Sequence, residues 1–418
     1  MCDGASWSTI QGVGVLGGGR RLRCATIALV CLPALAPAVA HSAEPSWLVG
    51  TSATAGAARS VPGARLASGI RLVQSSAASA RRLSRMPGVR FVERNRRFSA
   101  SSLTTPSDPL FRRQWALRSA HVRPAWLATL GAGVPVAVLD SGIDLSNPDL
   151  AENVWTNPGE LPGNGVDDDR NGFIDDVHGA DTVGWDGDPS DGLGHGTAVA
   201  GVIGARGNNA FGMSGVAWDV RLMPVKVLHD SGWGTTATMI AGLDYALANG
   251  ARIVNMSLNG PDSSQALDDA IRQAERQGVL VVTSAGNDAA NRDRVASYPA
   301  SVRSRAVITV ASASRSGELG HGSAWGRRSV DIAAPGEDIV TSDLGDSFTR
   351  HSGTSFAAAY VTGAAALLAA LHPNASAARM RAVLIASARR GGRVDAAIAG
   401  GRLDASAALR RLGRLRPR

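Results

Sequence analysis

Residues 134–142, Val-Pro-Val-Ala-Val-Leu-Asp-Ser-Gly, place Asp140 directly after a short run of apolar residues. Such a run, followed by turn-forming residues, is typical of a strand that is buried on both faces. Similar runs recur along the chain at 220–228, 251–258, 278–283, 306–311 and 330–333. Amphipathic helical stretches separate several of them, including 236–249 and 264–277. We therefore predict an α/β domain over residues 107–412, with a parallel sheet covered by helices on both faces.

Three further segments carry residue types that hydrolytic enzymes combine with an aspartate. His195 stands between two glycines at the start of a helix of small residues. Ser355 opens a long apolar helix, where its hydroxyl lies beside free backbone N–H groups. Asn287 follows a buried apolar run, and a side-chain amide there can stabilise an oxyanion. Taken singly, each has a simpler interpretation, as a turn residue, a core histidine or a helix cap.

Taken together, these segments resemble those of the subtilisin-like serine proteases, or subtilases. The acid, base and nucleophile occur in the order Asp140, His195, Ser355, which is the subtilisin order. The matching segments are 138–143, 194–197, 255–258, 284–287 and 353–355. A lipase or esterase is disfavoured, because residue 357 is alanine and the Gly-x-Ser-x-Gly motif is absent. The resemblance implies a subtilisin-like fold, with one catalytic domain preceded by a short pro-segment.

The resemblance also implies a role for each catalytic residue. Ser355 attacks a peptide carbonyl, His195 takes and returns its proton, and Asp140 orients the imidazole. Asn287 and the Ser355 backbone N–H bind the oxyanion. A catalytically dead, protease-like binding protein is the alternative, and competent residues at all four catalytic positions argue against it.

In the subtilases the peptide substrate binds as an added strand between two segments of the enzyme. The positions that the resemblance implies for this contact are Gly232, Trp233, Gly234, Ser257, Leu258, Asn259 and Gly286. Two residues depart from the family's usual pattern. Ala359 stands where proline is usual, and Asn259 stands where glycine is frequent.

Calcium is the expected cofactor, in a structural role. Residues 167–176, Asp-Asp-Asp-Arg-Asn-Gly-Phe-Ile-Asp-Asp, place oxygen ligands at positions 1, 3, 5 and 9 of an EF-hand-like loop, with glycine at position 6. This spacing predicts Asp167, Asp169, Asn171 and Asp175 as ligands; a solvated acidic loop is the alternative. A second site, with Asp108, Asp149 and Asn209, follows from the resemblance alone.

The N-terminal segments are typical of an exported, self-processing enzyme. Residues 1–40 combine three arginines, a short apolar run and an Ala-Val-Ala end, which predicts a signal peptide and secretion. Residues 41–106 resemble an inhibitory pro-segment, and 413–418 form a basic tail. All three cysteines lie within 1–40, so the mature protein would contain neither a disulfide nor a thiol nucleophile.

The net charge of +8 is distributed unevenly along the chain. Residues 1–106 carry 13 arginines against 3 acidic residues, whereas residues 107–378 carry 30 acidic residues against 18 arginines and one lysine. A nucleic-acid-binding protein should carry its basic patch on the folded domain, so this function is not expected. The expected partners are peptide or protein substrates and the chain's own pro-segment, acting as an intramolecular inhibitor. We expect a monomer that has no membrane contact once the signal peptide is removed.

Overall fold

The computed structural model describes residues 46–52, 61–67, 69–95 and 105–414. The chain divides into two compact units, residues 1–100 and 101–418. The predicted signal peptide lies outside the described residues, as does most of the basic tail.

The first unit is a small antiparallel sheet with one helix. Its strands are arranged in the order β2-β3-β1-β4. Val49, Val61, Val73 and Leu83 form its buried core. Its elements are β1 (Ser46–Thr51), β2 (Ala64–Ala67), β3 (Ile70–Gln74), α1 (Ala77–Leu83) and β4 (Val89–Arg94).

The second unit contains a seven-stranded sheet in the order β11-β10-β9-β8-β5-β7-β6, and every described pairing in it is parallel. The strands are β5 (Pro135–Asp140), β6 (Ala180–Asp181), β7 (Arg221–Lys226), β8 (Ile253–Met256), β9 (Leu280–Ser284), β10 (Val307–Ala313) and β11 (Ile332–Pro335). A separate hairpin joins β12 (Ile339–Ser342) to β13 (Phe348–His351). The helices are α2 (Trp115–Ser119), α3 (Val122–Ala125), α4 (His195–Gly204), α5 (Thr236–Ala248), α6 (Gln265–Gln277), α7 (Thr354–Leu371), α8 (Ala377–Ser387) and α9 (Ala405–Arg414).

Both faces of the large sheet are buried, which confirms the predicted fold. Along β5, Val136 and Val138 join a core cluster that also contains residues of α4 and α7. The alternate residues Ala137 and Leu139 join a second cluster that contains residues of α5 and α6. Since successive side chains of a strand point to opposite faces, β5 lies between two layers of helices.

Helix α7 is the central helix of the unit, and it carries Ser355 at its start. It is 18 residues long, and its side chains are buried from Thr354 to Ala369. Among the described residues it is the one helix with the length and composition of a membrane span, but 89% of it is buried inside the protein. Burial on all sides explains why the helix is apolar around its whole circumference.

Candidate active site

The predicted catalytic residues lie at the ends of elements. Asp140 is the last residue of β5, and His195 is the first residue of α4. Asn287 lies three residues beyond β9, and Ser355 is the second residue of α7. The carboxyl ends of parallel strands are where open α/β sheets place their binding sites.

Asp140 and His195 form a direct pair. The Nδ1 atom of His195 lies 2.7 Å from Oδ1 of Asp140, whose side chain is fully buried, whereas that of His195 is 31% exposed. Burial disfavours the charged imidazolium, but the charge and hydrogen bond of Asp140 and the charge of Asp191 outweigh it, so the pKa of His195 is raised. The imidazole is therefore held in one orientation by a buried carboxylate and keeps its other edge accessible.

Asp191 organises the loop that leads into His195, a role that the sequence did not reveal. Its Oδ1 accepts hydrogen bonds from Ser141 Oγ and from the backbone N–H groups of Leu193 and Gly194. Its Oδ2 accepts from the backbone and the hydroxyl of Thr197. These bonds connect the turn after Asp140 to the start of α4. An aspartate four residues before His195 carried no sequence signal, because its partners are set by the loop's conformation.

Ser355 is nearly buried, at 5% exposure. Its Oγ donates to the carbonyl of Ser257 at 3.3 Å, and Ser257 Oγ donates to the carbonyl of Ser355 at 3.1 Å. The described residues show no hydrogen bond between Ser355 and His195, although the ring of Phe356 lies 6.0 Å from that of His195. Catalytic hydrogen bonds are often long without substrate and shorten when it binds.

Asn287 is fixed through its side-chain oxygen. Oδ1 accepts from the backbone N–H of Thr354 at 2.8 Å and from its hydroxyl at 2.9 Å. The same hydroxyl accepts from the backbone N–H of Gly286 at 3.1 Å. Both Thr354 groups donate to the oxygen, so the amide NH₂ group of Asn287 is not used in the contact with Thr354. It makes no hydrogen bond with the described residues, so it remains available to an oxyanion.

The positions implied for substrate binding follow β7, β8 and β9, and β7 and β8 flank β5 in the sheet. Trp233, between Gly232 and Gly234, is 58% exposed and stacks on His229 with ring centroids 5.6 Å apart. Ser257 and Leu258 are buried. Asn259 donates to Ser284 Oγ at 2.7 Å, which brings the segment after β8 next to the end of β9, where Gly286 lies.

Of the three aspartates that the EF-hand spacing predicts as ligands, the structure places Asp169 in a cluster of carboxylates. Asp169 is grouped with Glu160 and Asp176, whose ligand oxygens all lie within 4.8 Å of one another. Asp167 and Asp175 instead each accept two backbone N–H groups: Asn171 and Gly172 donate to Asp167, and Asn164 and Gly165 to Asp175. Sequence spacing did not single out Glu160, which precedes the loop, or Asp176, which stands at position 10 of the loop, where an EF-hand has no ligand.

Two buried oxygens of this group have no partner among the described residues: Oδ1 of Asp176 and Oε2 of Glu160. The side-chain amides of Asn157 and Asn171 each donate to both Asp169 and Asp176. Burial raises the pKa of Asp176 against the hydrogen bonds from Tyr245, Asn171 and Asn157 that lower it. Buried carboxylate oxygens without donors suit a hard cation such as calcium.

Asp108, Asp149 and Asn209, predicted from resemblance, lie together. The backbone N–H of Asn209 donates to Asp108 at 3.0 Å, and its side-chain amide donates to Asp149 at 2.9 Å. Burial and the charge of Asp108 raise the pKa of Asp149 to about 6, against the hydrogen bonds from Asn209 and Met213. This group thus contains two buried carboxylates whose charge a cation would stabilise.

Lys226, the single lysine of the sequence, ends β7 beside Asp140. Its Nζ donates to the carbonyl of Ser141 at 2.7 Å and forms an ion pair with Asp230. The residue is 7% exposed. Lys226 therefore connects the turn after Asp140 to the segment that precedes Gly232.

Comparison with known proteins agrees with this geometry. Residues 131–405 match the model of the subtilase family, Peptidase S8. The chain is 34% identical to the thermophilic serine proteinase of Bacillus sp. (strain AK1), over 70% of this chain and 66% of that protein. It is 33% identical to thermitase of Thermoactinomyces vulgaris, over 65% of this chain and 88% of that protein.

Solved structures show the same similarity. A protease from Pseudoalteromonas arctica PAMC 21717 matches with a TM-score of 0.62 and 28% identity, over 74% of this chain and all of that one. A cold-adapted subtilisin-like serine proteinase matches with a TM-score of 0.56 and 30% identity, over 66% of this chain and 90% of that one. The chain therefore belongs to the subtilase family of subtilisin-like serine proteases.

Proposed function

We propose that this protein is a secreted serine endopeptidase that cleaves peptide bonds through an acyl-enzyme intermediate. The observation that carries the proposal is the 2.7 Å contact of His195 with the buried Asp140, in a chain that places Ser355 at the start of α7. A buried carboxylate, an imidazole and a hydroxyl beside free helix N–H groups are the parts that acyl transfer needs.

In this mechanism His195 accepts the proton of Ser355 as the hydroxyl oxygen attacks the peptide carbonyl. Asp140 holds the imidazole by its Nδ1–H and stabilises the imidazolium that forms. The oxyanion of the tetrahedral intermediate accepts hydrogen bonds from the Asn287 amide and from the Ser355 backbone N–H. Collapse of the intermediate breaks the C–N bond, and His195 protonates the leaving amine. Water then hydrolyses the ester of Ser355 by the same steps.

The intact mass of the purified full-length chain and of Ser355→Ala tests this proposal. We expect the wild type to lose about its first hundred residues and Ser355→Ala to retain its pro-segment, because self-processing requires the nucleophile. Ser352→Ala, three residues away, is the matched control and should be processed like the wild type. Equal processing of the wild type and Ser355→Ala would contradict autocatalysis, and a peptidase assay that found neither active would favour the dead, protease-like alternative.

The N-terminal part of the chain supports synthesis as an exported zymogen. The unit formed by β1–β4 and α1 has its own sheet and core. We propose that it inhibits the active site until it is cleaved off near residues 98–107, after removal of the signal peptide. Addition of a separately produced fragment 41–106 to the mature enzyme should inhibit it, and a fragment with no effect on kcat/KM would contradict this role.

We propose that calcium stabilises the mature enzyme at the Glu160, Asp169 and Asp176 group and at the Asp108, Asp149 and Asn209 group. A bound cation would balance the negative charge of the buried carboxylates in both groups. Calcium titration followed by thermal unfolding distinguishes the Glu160, Asp169 and Asp176 group from the ligands that the EF-hand spacing predicts. Asp176→Asn and Glu160→Gln should reduce the calcium-dependent rise in Tm, whereas Asp175→Asn should leave it largely unchanged. The opposite pattern would favour the ligands that the EF-hand spacing predicts, which include Asp175.

A further inference from the structure

A buried arginine lies directly behind the turn that carries Asn287. The side chain of Arg292 is 3% exposed, although a guanidinium is always charged and costly to bury. The reaction proposed above assigns no role to it. Its Nε and Nη2 bond residues 285–288, the turn that follows β9, and its Nη1 donates to the carbonyl of Val295 at 3.4 Å.

Arg292 holds this turn on both sides of Asn287. Its Nε donates to the carbonyl oxygen of Ala285 at 2.7 Å, and its Nη2 donates to Oδ1 of Asp288 at 2.6 Å. These partners lie two residues before Asn287 and one residue after it. A planar guanidinium offers two donors at a fixed angle, which a lysine ammonium cannot reproduce.

Gly286 leaves room for the guanidinium. A Cβ at position 286 would lie 2.3 Å from Nη2 of Arg292, and the φ of Gly286 is +108°, a conformation that other residues rarely adopt. The remaining contacts of the turn come from other segments: Ala324 donates to the carbonyl of Gly286, and Thr354 bonds Asn287. Arg292 is therefore the side chain that spans the turn from one flank to the other.

We propose that Arg292 is a positioning residue for the oxyanion donor Asn287, acting by fixing the backbone of residues 285–288. This inference rests on the proposed function, since it concerns the transition state formed at Ser355. Thr354 holds the side-chain amide of Asn287, and Arg292 holds the backbone of the turn on either side of Asn287. A donor must lie within a few tenths of an ångström of its hydrogen-bonding position to stabilise an oxyanion fully.

A double-mutant cycle with Asn287→Ala tests the proposal, using peptide hydrolysis by the full-length, self-processed chain with titrated active sites. Asn287→Ala should lower kcat by ~10²–10³-fold. Arg292→Met in the wild-type background should lower kcat by about 10-fold and change KM by less than about 2-fold, because a displaced donor loses part of its effect in the transition state. In the Asn287→Ala background, Arg292→Met should change kcat by less than about 2-fold, because the donor through which it acts is absent.

A merely structural arginine gives a different pattern. An equal loss of kcat in both backgrounds would overturn the proposal, and so would a loss that appears mainly in KM. If Asn287→Ala itself leaves kcat unchanged, the oxyanion role of Asn287 is wrong and the role of Arg292 is lost with it. Activity that survives Ser355→Ala would instead refute the proposed function as a whole.

Two further variants separate positioning from stability. Arg252 is the matched control, because its guanidinium also donates to backbone carbonyls, those of Gly278, Pro373 and Ala375, in a part of the fold without catalytic residues. Arg252→Met should lower Tm and leave kcat unchanged; a similar loss of kcat would show that instability alone explains the effect. Should Arg292→Met fail to fold, Arg292→Lys replaces it in the cycle, with a smaller loss of kcat.

Discussion

The pKa of His195 decides the acid side of the activity profile, because the imidazole must be neutral to accept the Ser355 proton. Its pKa is raised above the ordinary 6.5. His195 therefore becomes protonated, and can no longer act as the base, as pH falls through a value above 6.5. We expect the acid limb of kcat/KM to have its midpoint above 6.5 in a pH series, and a midpoint clearly below it would contradict the raised pKa.

His351 offers a way to shift that limb. Its ring stacks on Phe356 at 5.2 Å, and Phe356 also faces His195. Burial and the charge of His195 lower the pKa of His351 against the charge of Asp343, so His351 loses its proton at a lower pH than His195. His351→Lys introduces a permanent cation, which disfavours the imidazolium and should move the acid limb to lower pH by about half a unit. The neutral variant His351→Gln is the control, and a shift of equal size in it would exclude a charge effect.

The charge and hydrogen bonding of the Asp140 carboxylate should contribute far more to kcat than the size of its side chain does. Asp140→Asn preserves the size of the side chain but can stabilise the wrong imidazole tautomer, so kcat at neutral pH should fall about 10⁴-fold. Asp269→Asn, at an exposed position of α6, which carries none of the predicted catalytic or substrate-binding residues, is the control. Hydrolysis of a peptide anilide measures both, and a loss smaller than about 10-fold would argue against Asp140 as the partner of His195.

At this scale the sequence predicts residues that stand in short motifs. Asp140 and Asn287 follow apolar runs, His195 and Ser355 open helices, and each has a glycine within two residues, so the sequence indicates their types and order. The sequence does not indicate the roles of Asp191, Arg292 and Glu160. Their partners are set by loop conformations and, for Glu160, by carboxylates 9 and 16 residues away.

At the scale of elements, helix α4 begins against the strand that carries Asp140. A Cβ at Gly196 would lie 2.0 Å from the carbonyl oxygen of Gly142 and 3.1 Å from Cβ of Asp140. Gly196→Ala must therefore displace the Asp140 turn, and we expect a lower Tm together with a loss of kcat of more than about 10-fold. Thermal unfolding and peptide hydrolysis measure the two effects.

The control for this change is Gly413→Ala in α9, where a Cβ meets only the His372 ring at 3.7 Å. Alanine is the better helix former by roughly 1 kcal/mol, so Tm should stay the same or rise. A wild-type kcat in Gly196→Ala would mean that α4 can shift without moving Asp140.

The buried elements were the most predictable from sequence. The apolar runs 278–283 and 306–311 correspond to β9 and β10, within two residues at every end, and the stretch 264–277 corresponds to α6. The edge strand β6 and the hairpin of β12 and β13 were missed. They are short, and β6 is defined by its parallel pairing with β7 rather than by a pattern of its own.

For the whole molecule, stability should depend on cations rather than on disulfides. No cysteine occurs after residue 40. Dithiothreitol should therefore leave the Tm of the mature enzyme unchanged, whereas EDTA should lower it; saturation at 100 times Kd contributes about 2.7 kcal/mol per site. Differential scanning calorimetry measures both, with magnesium as the control ion. A Tm that EDTA does not change would contradict calcium stabilisation.

The burial of Lys226 has a practical consequence for labelling chemistry. Lys226 is the one lysine of the sequence and is buried between Ser141 and Asp230, so an acylating reagent such as an N-hydroxysuccinimide ester finds no exposed lysine in the folded protein. Acylation of Lys226 would then proceed only in molecules whose turn after Asp140 has opened. The rate of Lys226 acylation, followed by peptide mass spectrometry, would therefore report how often this edge of the sheet unfolds locally.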